Sequence, residues 1–296
     1  MFVKNQRSIR NKVSCFGVGL HSGSFVNMSL LSAPIDNGIS FRRVTSDGKV
    51  LGEIKAQYDY VSTTFLGTNL VGNDIQIATV EHLMAALWGC GIDNVIVEID
   101  ANELPIMDGS SDHFVFMIES AGILEQNVGR RFIEILKKVD ISEGGAHAFI
   151  APSSDFSLQM EIAFDDKVVS NQSCEFFADT NSFKIELSKA RTFGFLKDVE
   201  RLKQQGLIKG GSLDNAIVVD DNRVLNDGGL RYKNEFVRHK ALDSIGDLYL
   251  SGARLMGHFH GVKSGHFLNN QLLRKLFADK SAWRMMQFND KFDLVS

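Results

Sequence analysis

The sequence predicts an α+β protein made of two related halves. A chain of 296 residues holds about two domains' worth of core. Short runs alternate apolar with polar residues, as half-buried antiparallel strands do. Each half also closes on the same order of helix, strand and helix, with the division at about residues 125–130. A hydrophobic fraction of 44% with 23% charged residues suits a packed interior and is too apolar for a disordered chain.

Element by element, the glycines of residues 14–23 read as a turn-rich segment. Residues 25–30, 39–42 and 52–56 read as strands. Residues 79–88 read as a short helix. Thr79 is its expected N-cap, Glu81 complements the dipole in the first turn, and Gly89 and Gly91 are the expected stop. A strand follows at 94–99 and a helix at 110–121, ended by Gly122. In the second half strands are expected at 131–141, 146–151, 156–163 and 172–177, then a helix at 196–205 and a short strand at 216–219. The longest helix is expected at 235–251, a strand at 254–262 and a last helix at 266–278.

Composition excludes several classes of function. With 32 Lys+Arg against 36 Asp+Glu the net charge is -4, which does not suit a generic nucleic-acid binder. The longest stretch free of charged residues, 13–35, contains five Ser, three Gly, Asn27 and Pro34, so no integral membrane segment is expected. The opening residues lack the apolar run of an export signal. Cys15, Cys90 and Cys174 are odd in number and far apart, against both a disulfide framework and a cysteine zinc site. A cytoplasmic, reduced setting is expected. Nothing suggests a coiled coil, and a monomer is expected.

Chemistry gathers on the longest helix. His239, Asp243 and Asp247 are spaced four apart, drifting by about 40° per step, so they share one stripe. Val237, Ala241, Ile245 and Leu248 lie roughly opposite as the core stripe. Imidazole and carboxylate at i and i+4 can both reach one divalent ion such as zinc. A catalytic zinc wants a third protein ligand, and His82 is the best candidate. Glu81 beside it is placed to take a proton from an activated water. Taken singly, His239 with Asp243 also reads as a helical charge pair, and Glu81-His82 as an ordinary helix start. His266 opens a helix after Gly265. The positive helix end opposes its charging and a carboxylate such as Asp247 would favour it, although in isolation the residue reads more simply as a helix-start histidine exposed to water. Thr192, in Arg191-Thr192-Phe193-Gly194-Phe195, can donate to an oxyanion or simply end a strand among core phenylalanines. Lys240 can meet an anionic substrate or be a solvated helix lysine. Asp214-Asn215-Ala216 and Asp227-Gly228-Gly229 read as turns.

Together these segments resemble the zinc-dependent UDP-3-O-acyl-N-acetylglucosamine deacetylase family of lipid A biosynthesis in Gram-negative bacteria. The matching text is Gly17-Val18-Gly19-Leu20-His21-Ser22-Gly23, Thr79-Val80-Glu81-His82-Leu83, Leu104-Pro105-Ile106-Met107-Asp108-Gly109-Ser110, Ala190-Arg191-Thr192-Phe193-Gly194-Phe195, Gly210-Gly211-Ser212, Glu235-Phe236-Val237-Arg238-His239-Lys240 and Lys263-Ser264-Gly265-His266. These span nearly the whole chain, in order.

The resemblance implies two α+β domains of similar topology, 1–127 and 128–296. Each is a sheet packed with helices in a β-α-α-β sandwich of ribosomal-S5-domain-2-like halves, with the active site between them. It implies an insert in each, the second a βαβ unit near 190–220 that forms an acyl-chain passage. Phe193, Phe195, Leu196, Val199, Leu202, Leu207 and Ile208 suit its wall. The implied metal ligands are His82, His239 and Asp243, holding one Zn2+ per chain, with Fe2+ compatible with the same donors. The implied general base is Glu81 and the catalytic histidine His266, supported by Asp247. Thr192 stands near the oxyanion, Lys240 and Lys263 near the substrate, and Phe164 against uracil. Some relatives have a cysteine in the loop where Gly67 lies, and this chain lacks that thiol. The implied reaction is hydrolysis of the 2-acetamido group of UDP-3-O-acyl-N-acetylglucosamine. Two other readings of the residues remain open: a metal-stabilised binding protein on the same scaffold, and an amidohydrolase acting on a different acylated sugar.

Overall fold

The computed structural model describes residues 4–178 and 182–288. The first half runs β1 (Asn5–Ile9), β2 (Val13–Val18), β3 (Phe25–Ser32), β4 (Ile39–Val44) and β5 (Val50–Lys55). It continues with β6 (Val61–Thr63), β7 (Asn69–Gly72), β8 (Ile75–Ile77), α1 (Glu81–Cys90), β9 (Val95–Ile99), α2 (Asp112–Ala121) and β10 (Ile123–Gly129). The second half runs β11 (Arg131–Ile135), β12 (Val139–Glu143), β13 (Ala146–Ala151), β14 (Ser157–Ala163), β15 (Asn171–Phe177), α3 (Ser182–Glu186), β16 (Phe193–Phe195) and α4 (Leu196–Gln204). It ends with β17 (Ile217–Asp220), β18 (Arg223–Val224), α5 (Glu235–Tyr249), β19 (Arg254–Met256), β20 (His258–Val262), α6 (His266–Ala278) and β21 (Trp283–Gln287).

Two five-stranded sheets carry the same topology. The first has the order β2-β3-β9-β4-β5 and the second β12-β13-β20-β14-β15. In each, the central strand arrives last in sequence, antiparallel to one neighbour and parallel to the other. In each half a pair of helices flanks that strand in sequence, α1 and α2 around β9 and α5 and α6 around β20. A small three-stranded sheet precedes the first helix of each pair: β6-β7-β8 before α1, and β16-β17-β18 before α5. Strands β16 and β17 pair in parallel, with α4 crossing between them. Helix α1 packs on α5 and α2, α5 on α6 and β14, α6 on β12 and β13, and α2 on β2. The helices are thus sandwiched between sheets, and one continuous core includes residues of both halves.

The central helices are buried nearly all round. Every residue of α1 except Gly89 is buried, and so are both stripes of α5. The mixed stripe of α5 therefore lines an internal cleft rather than a half-open one, with Arg238 and Lys240 alone partly exposed. Gly246 makes this packing feasible, because a Cβ there would run into the backbone of Glu81.

Several expected elements are corrected. Residues 13–18 form strand β2 rather than turns, because pairing with β3 outweighs the glycines. The expected strand 131–141 is two strands in different sheets, β11 and β12. The expected strand 254–262 likewise breaks at Gly257, where a Cβ would come within 2.7 Å of Ile135 and 3.0 Å of the Ala151 carbonyl. Thr79 is not the N-cap of α1. Val80 holds that position with no side-chain cap, and Thr79 adopts φ 59° with its hydroxyl donating to Glu103. Gly89 lies inside α1, where the Phe183 ring leaves no room for a Cβ, and Gly91 ends the helix in the left-handed region.

Candidate metal centre

The first turn of α1 and the middle of α5 bring His82, His239 and Asp243 together. One donor atom from each lies within 4.8 Å of the others, and all three residues are buried. Asp243 Oδ1 stands 3.4 Å from His82 Nε2 and 3.3 Å from His239 Nε2. The two rings are 5.0 Å apart and nearly perpendicular. That carboxylate oxygen is buried without a hydrogen-bond partner. Such an orphan is costly unless a cation takes the place of water. His239 Nδ1–H donates to the Ala190 carbonyl at 3.0 Å, which leaves Nε2 with its lone pair. Burial pushes His239 down to about 3, helped by nearby His82 and Lys240 against the pull of Asp243, so the ring is neutral at ordinary pH. Two imidazoles and one carboxylate make a donor set that fits a divalent ion.

Two proton-handling groups flank these donors. Glu81 is 3% exposed, and burial raises its pKa although His266 and His82 oppose the rise. Its Oε2 accepts from the Thr68 N–H at 2.9 Å. His266 Nδ1–H donates to Asp247 Oδ2 at 2.9 Å. Burial disfavours the imidazolium, but Asp247 outweighs it and His266 rises to about 9. Asn269 donates to the same oxygen at 2.9 Å, and the Thr68 hydroxyl to Asp247 Oδ1 at 2.6 Å. Lys240 is committed rather than free, because its Nζ donates to Asp243 Oδ2 at 2.9 Å. Despite burial, its neighbours, the Lys240 ammonium among them, hold the Asp243 carboxyl well below the usual range. The Thr192 N–H donates to Gly109 O and its carbonyl accepts from the Ile217 N–H, each at 2.8 Å. The preceding Arg191 is fixed by the fully buried Glu235 at 2.9 Å.

Residues 6–278 match the family described as LpxC, UDP-3-O-acyl N-acetylglycosamine deacetylase. The chain belongs to this family. The UDP-3-O-acyl-N-acetylglucosamine deacetylase of Marinobacter nauticus is 50% identical over 288 residues, covering 97% of this chain and 94% of that protein. The protein of the same name from Teredinibacter turnerae is 49% identical with the same coverage. That from Stenotrophomonas maltophilia is 50% identical over 96% of this chain and 94% of its own length.

In this member of the deacetylase family the three donors, Glu81 and His266 open onto one cavity of about 390 Å³, which Thr192, Phe193, Lys240 and Lys263 also line. Asp247 stands behind His266 rather than on the wall. Phe195 and Phe164 are not on the wall either. They pack with Phe193, Phe164 lying 5.8 Å from each of the other two rings. Leu20, Leu66, Ile106 and Phe267 add apolar wall that sequence reasoning missed.

It also missed the residues that hold the site from behind: Thr68, Asn269, Ser244, the Ala190 carbonyl and Glu103. Buried Glu103 accepts from the backbone of His21 and Ser22 at 2.8 Å each, and so fixes the Gly-rich loop beside the cavity. Only that loop gave a signal, because glycines at 17, 19 and 23 announce a close backbone approach. Among the described residues no helix is long and apolar enough to cross a membrane.

Proposed function

We propose that this chain hydrolyses the 2-acetamido group of UDP-3-O-acyl-N-acetylglucosamine to UDP-3-O-acyl-glucosamine and acetate, the committed step of lipid A biosynthesis. The observation that carries this reading is the orphaned Asp243 oxygen shared by two imidazole nitrogens, with Glu81 and the His266–Asp247 pair beside it in one cavity. Family membership supports the substrate.

We assign one zinc ion per chain to His82, His239 and Asp243; iron(II) suits the same donors. When bound, such an ion supplies Lewis-acid polarisation of the acetyl carbonyl and lowers the pKa of water towards ~7. Glu81 takes the proton of the attacking water, and its dry surroundings make it a stronger base than an exposed carboxylate. Thr192 donates its hydroxyl to the developing oxyanion. His266, charged at neutral pH, delivers a proton to the departing nitrogen, and Asp247 holds the ring in the donating orientation. Lys263, which lines the cavity, balances substrate charge, and Lys240 adds to it while holding Asp243 Oδ2. In this reading Phe193, Phe195 and the insert near 190–220 guide the acyl chain and Phe164 stacks on uracil, contacts that for Phe195 and Phe164 fall beyond the wall of the cavity of about 390 Å³. In this reading domain 1–127 contributes Glu81 and His82, and domain 128–296 the remaining groups. The protein acts as a cytoplasmic monomer.

Acetate release from the UDP-sugar with and without its 3-O-acyl chain tests the proposal. The acylated substrate should be turned over, a chelator should stop the reaction, and added zinc should restore it. Release from neither substrate would leave a binding protein, and indifference to the acyl chain would point to a different amidohydrolase.

A further inference from the structure

We propose that Thr68 is the positioning residue that sets the two proton-handling groups, Glu81 and His266, in one frame. The inference rests on the hydrolytic reading above. Glu81 belongs to α1 and His266 to α6, far apart in sequence. Thr68, in the loop between β6 and β7, touches the supports of both. Its N–H donates to Glu81 Oε2 at 2.9 Å and its hydroxyl to Asp247 Oδ1 at 2.6 Å. Asp247 Oδ2 in turn accepts from His266 Nδ1–H at 2.9 Å. A single residue thus closes a relay of three hydrogen bonds from the base to the histidine.

The surroundings make these bonds hard to replace. Thr68 is 1% exposed and Asp247 2%, so bulk water has no access to either. A buried carboxylate oxygen that loses its donor keeps the desolvation cost, and the freed group turns to find another partner. Asp247 has the Asn269 amide and His266 to turn towards, and either move swings the imidazole.

The loop itself is pinned. The Thr68 carbonyl accepts from the Val80 N–H at 3.2 Å, tying it to the start of α1, and the Leu66 carbonyl stands 3.2 Å from His21 Nε2. At Gly67 a Cβ would come within 3.1 Å of Glu81 Oε1, so the absent side chain lets the loop lie against the carboxylate. Thr68 does not line the cavity, so it acts through its neighbours and not on substrate.

Thr68→Val keeps the shape and the N–H but removes the hydroxyl. It should lower kcat by about 10–100-fold, the usual range for losing a group that orients a working residue. KM and metal content should stay within about two-fold. Thr68→Ser should restore most of the rate. In an Asp247→Ala background the same Val substitution should cost less than about two-fold, because the hydroxyl has lost its target.

An activity-independent arm is the NMR signal of the His266 Nδ1 proton in holoprotein labelled with 15N-histidine. It should broaden or move in Thr68→Val and return in Thr68→Ser. If Val does not fold, Thr68→Ala takes its place throughout. The inference is overturned by an unchanged Nδ1 resonance, by a Ser variant as slow as Val, or by an equal loss with and without Asp247. If the unaltered protein releases no acetate, the hydrolytic reading falls, and the resonance still decides whether Thr68 orients His266.

Discussion

At Glu81 and His266, two side chains of opposite chemistry are pushed by their surroundings towards the states a hydrolysis needs. Burial raises the Glu81 carboxyl, with Asp243 and Asp247 adding to the rise against His266 and His82. Burial works against His266 too, but the Asp247 carboxylate reverses its effect and takes the ring to about 9. In its proposed role as base Glu81 works deprotonated, so kcat/KM should fall as pH drops through a value above the ordinary carboxylate range of about 4.3. His266, in its proposed role as acid, works protonated. Its folded pKa is raised, so the active form is complete at neutral pH and is lost as pH rises through about 9. A pH profile of kcat/KM should therefore be bell-shaped with a broad neutral plateau. Glu81→Gln should lose about two or more orders of magnitude in kcat while retaining metal. Near-normal turnover in that variant, or a basic limb near the ordinary histidine value of about 6.5, would remove the assigned roles.

Helix α1 can present Glu81 and His82 to α5 only because Gly246 lets the two backbones meet. Gly246→Val should overpack this crossing and cost about 1–3 kcal/mol of stability, read from denaturant midpoints. It should also weaken metal binding, because His82 moves relative to His239 and Asp243. A stability loss with unaltered metal affinity would mean that the crossing does not set the site. Both helices were legible in the sequence, since glycines mark the end of α1 and two stripes at helical spacing mark α5. The strands were less so. Val13, Cys15 and Gly17 alternate with Ser14 and Phe16 along β2, yet Phe16 is 78% exposed, so the outward face carried no consistent polar signature. Strands β6, β7 and β8 went unread because elements of three or four residues exist only through their pairing. The breaks at residues 136–138 and at Gly257 are changes of sheet, and hydropathy does not register a change of partner. At the site the titrating residues were legible by type and spacing. Thr68 was not, because a hydroxyl reaching 179 residues along the chain leaves no local pattern.

Across the whole molecule, the repeated order of helix, strand and helix announced two similar halves. The insertion of the last strand into the centre of each sheet is a pairing that no one-dimensional pattern encodes. The consequence is a pair of halves that cannot hide their apolar helices separately. Helix α1 is buried against α5 of the other half, and the proposed ion takes one donor from the first half and two from the second. Binding to the folded chain alone should then stabilise both halves at once. At a free metal concentration about 100 times the dissociation constant the gain is about 2.7 kcal/mol. At roughly 2–4 °C per kcal/mol for a chain of this size, chelation should lower Tm by about 5–10 °C. The unfolding transition should remain single, because neither half keeps a covered core without the other. Calorimetry with and without chelator reads both quantities. Two separated transitions, only one of them moved by chelator, would show that the halves fold independently and that the ion is held within one of them.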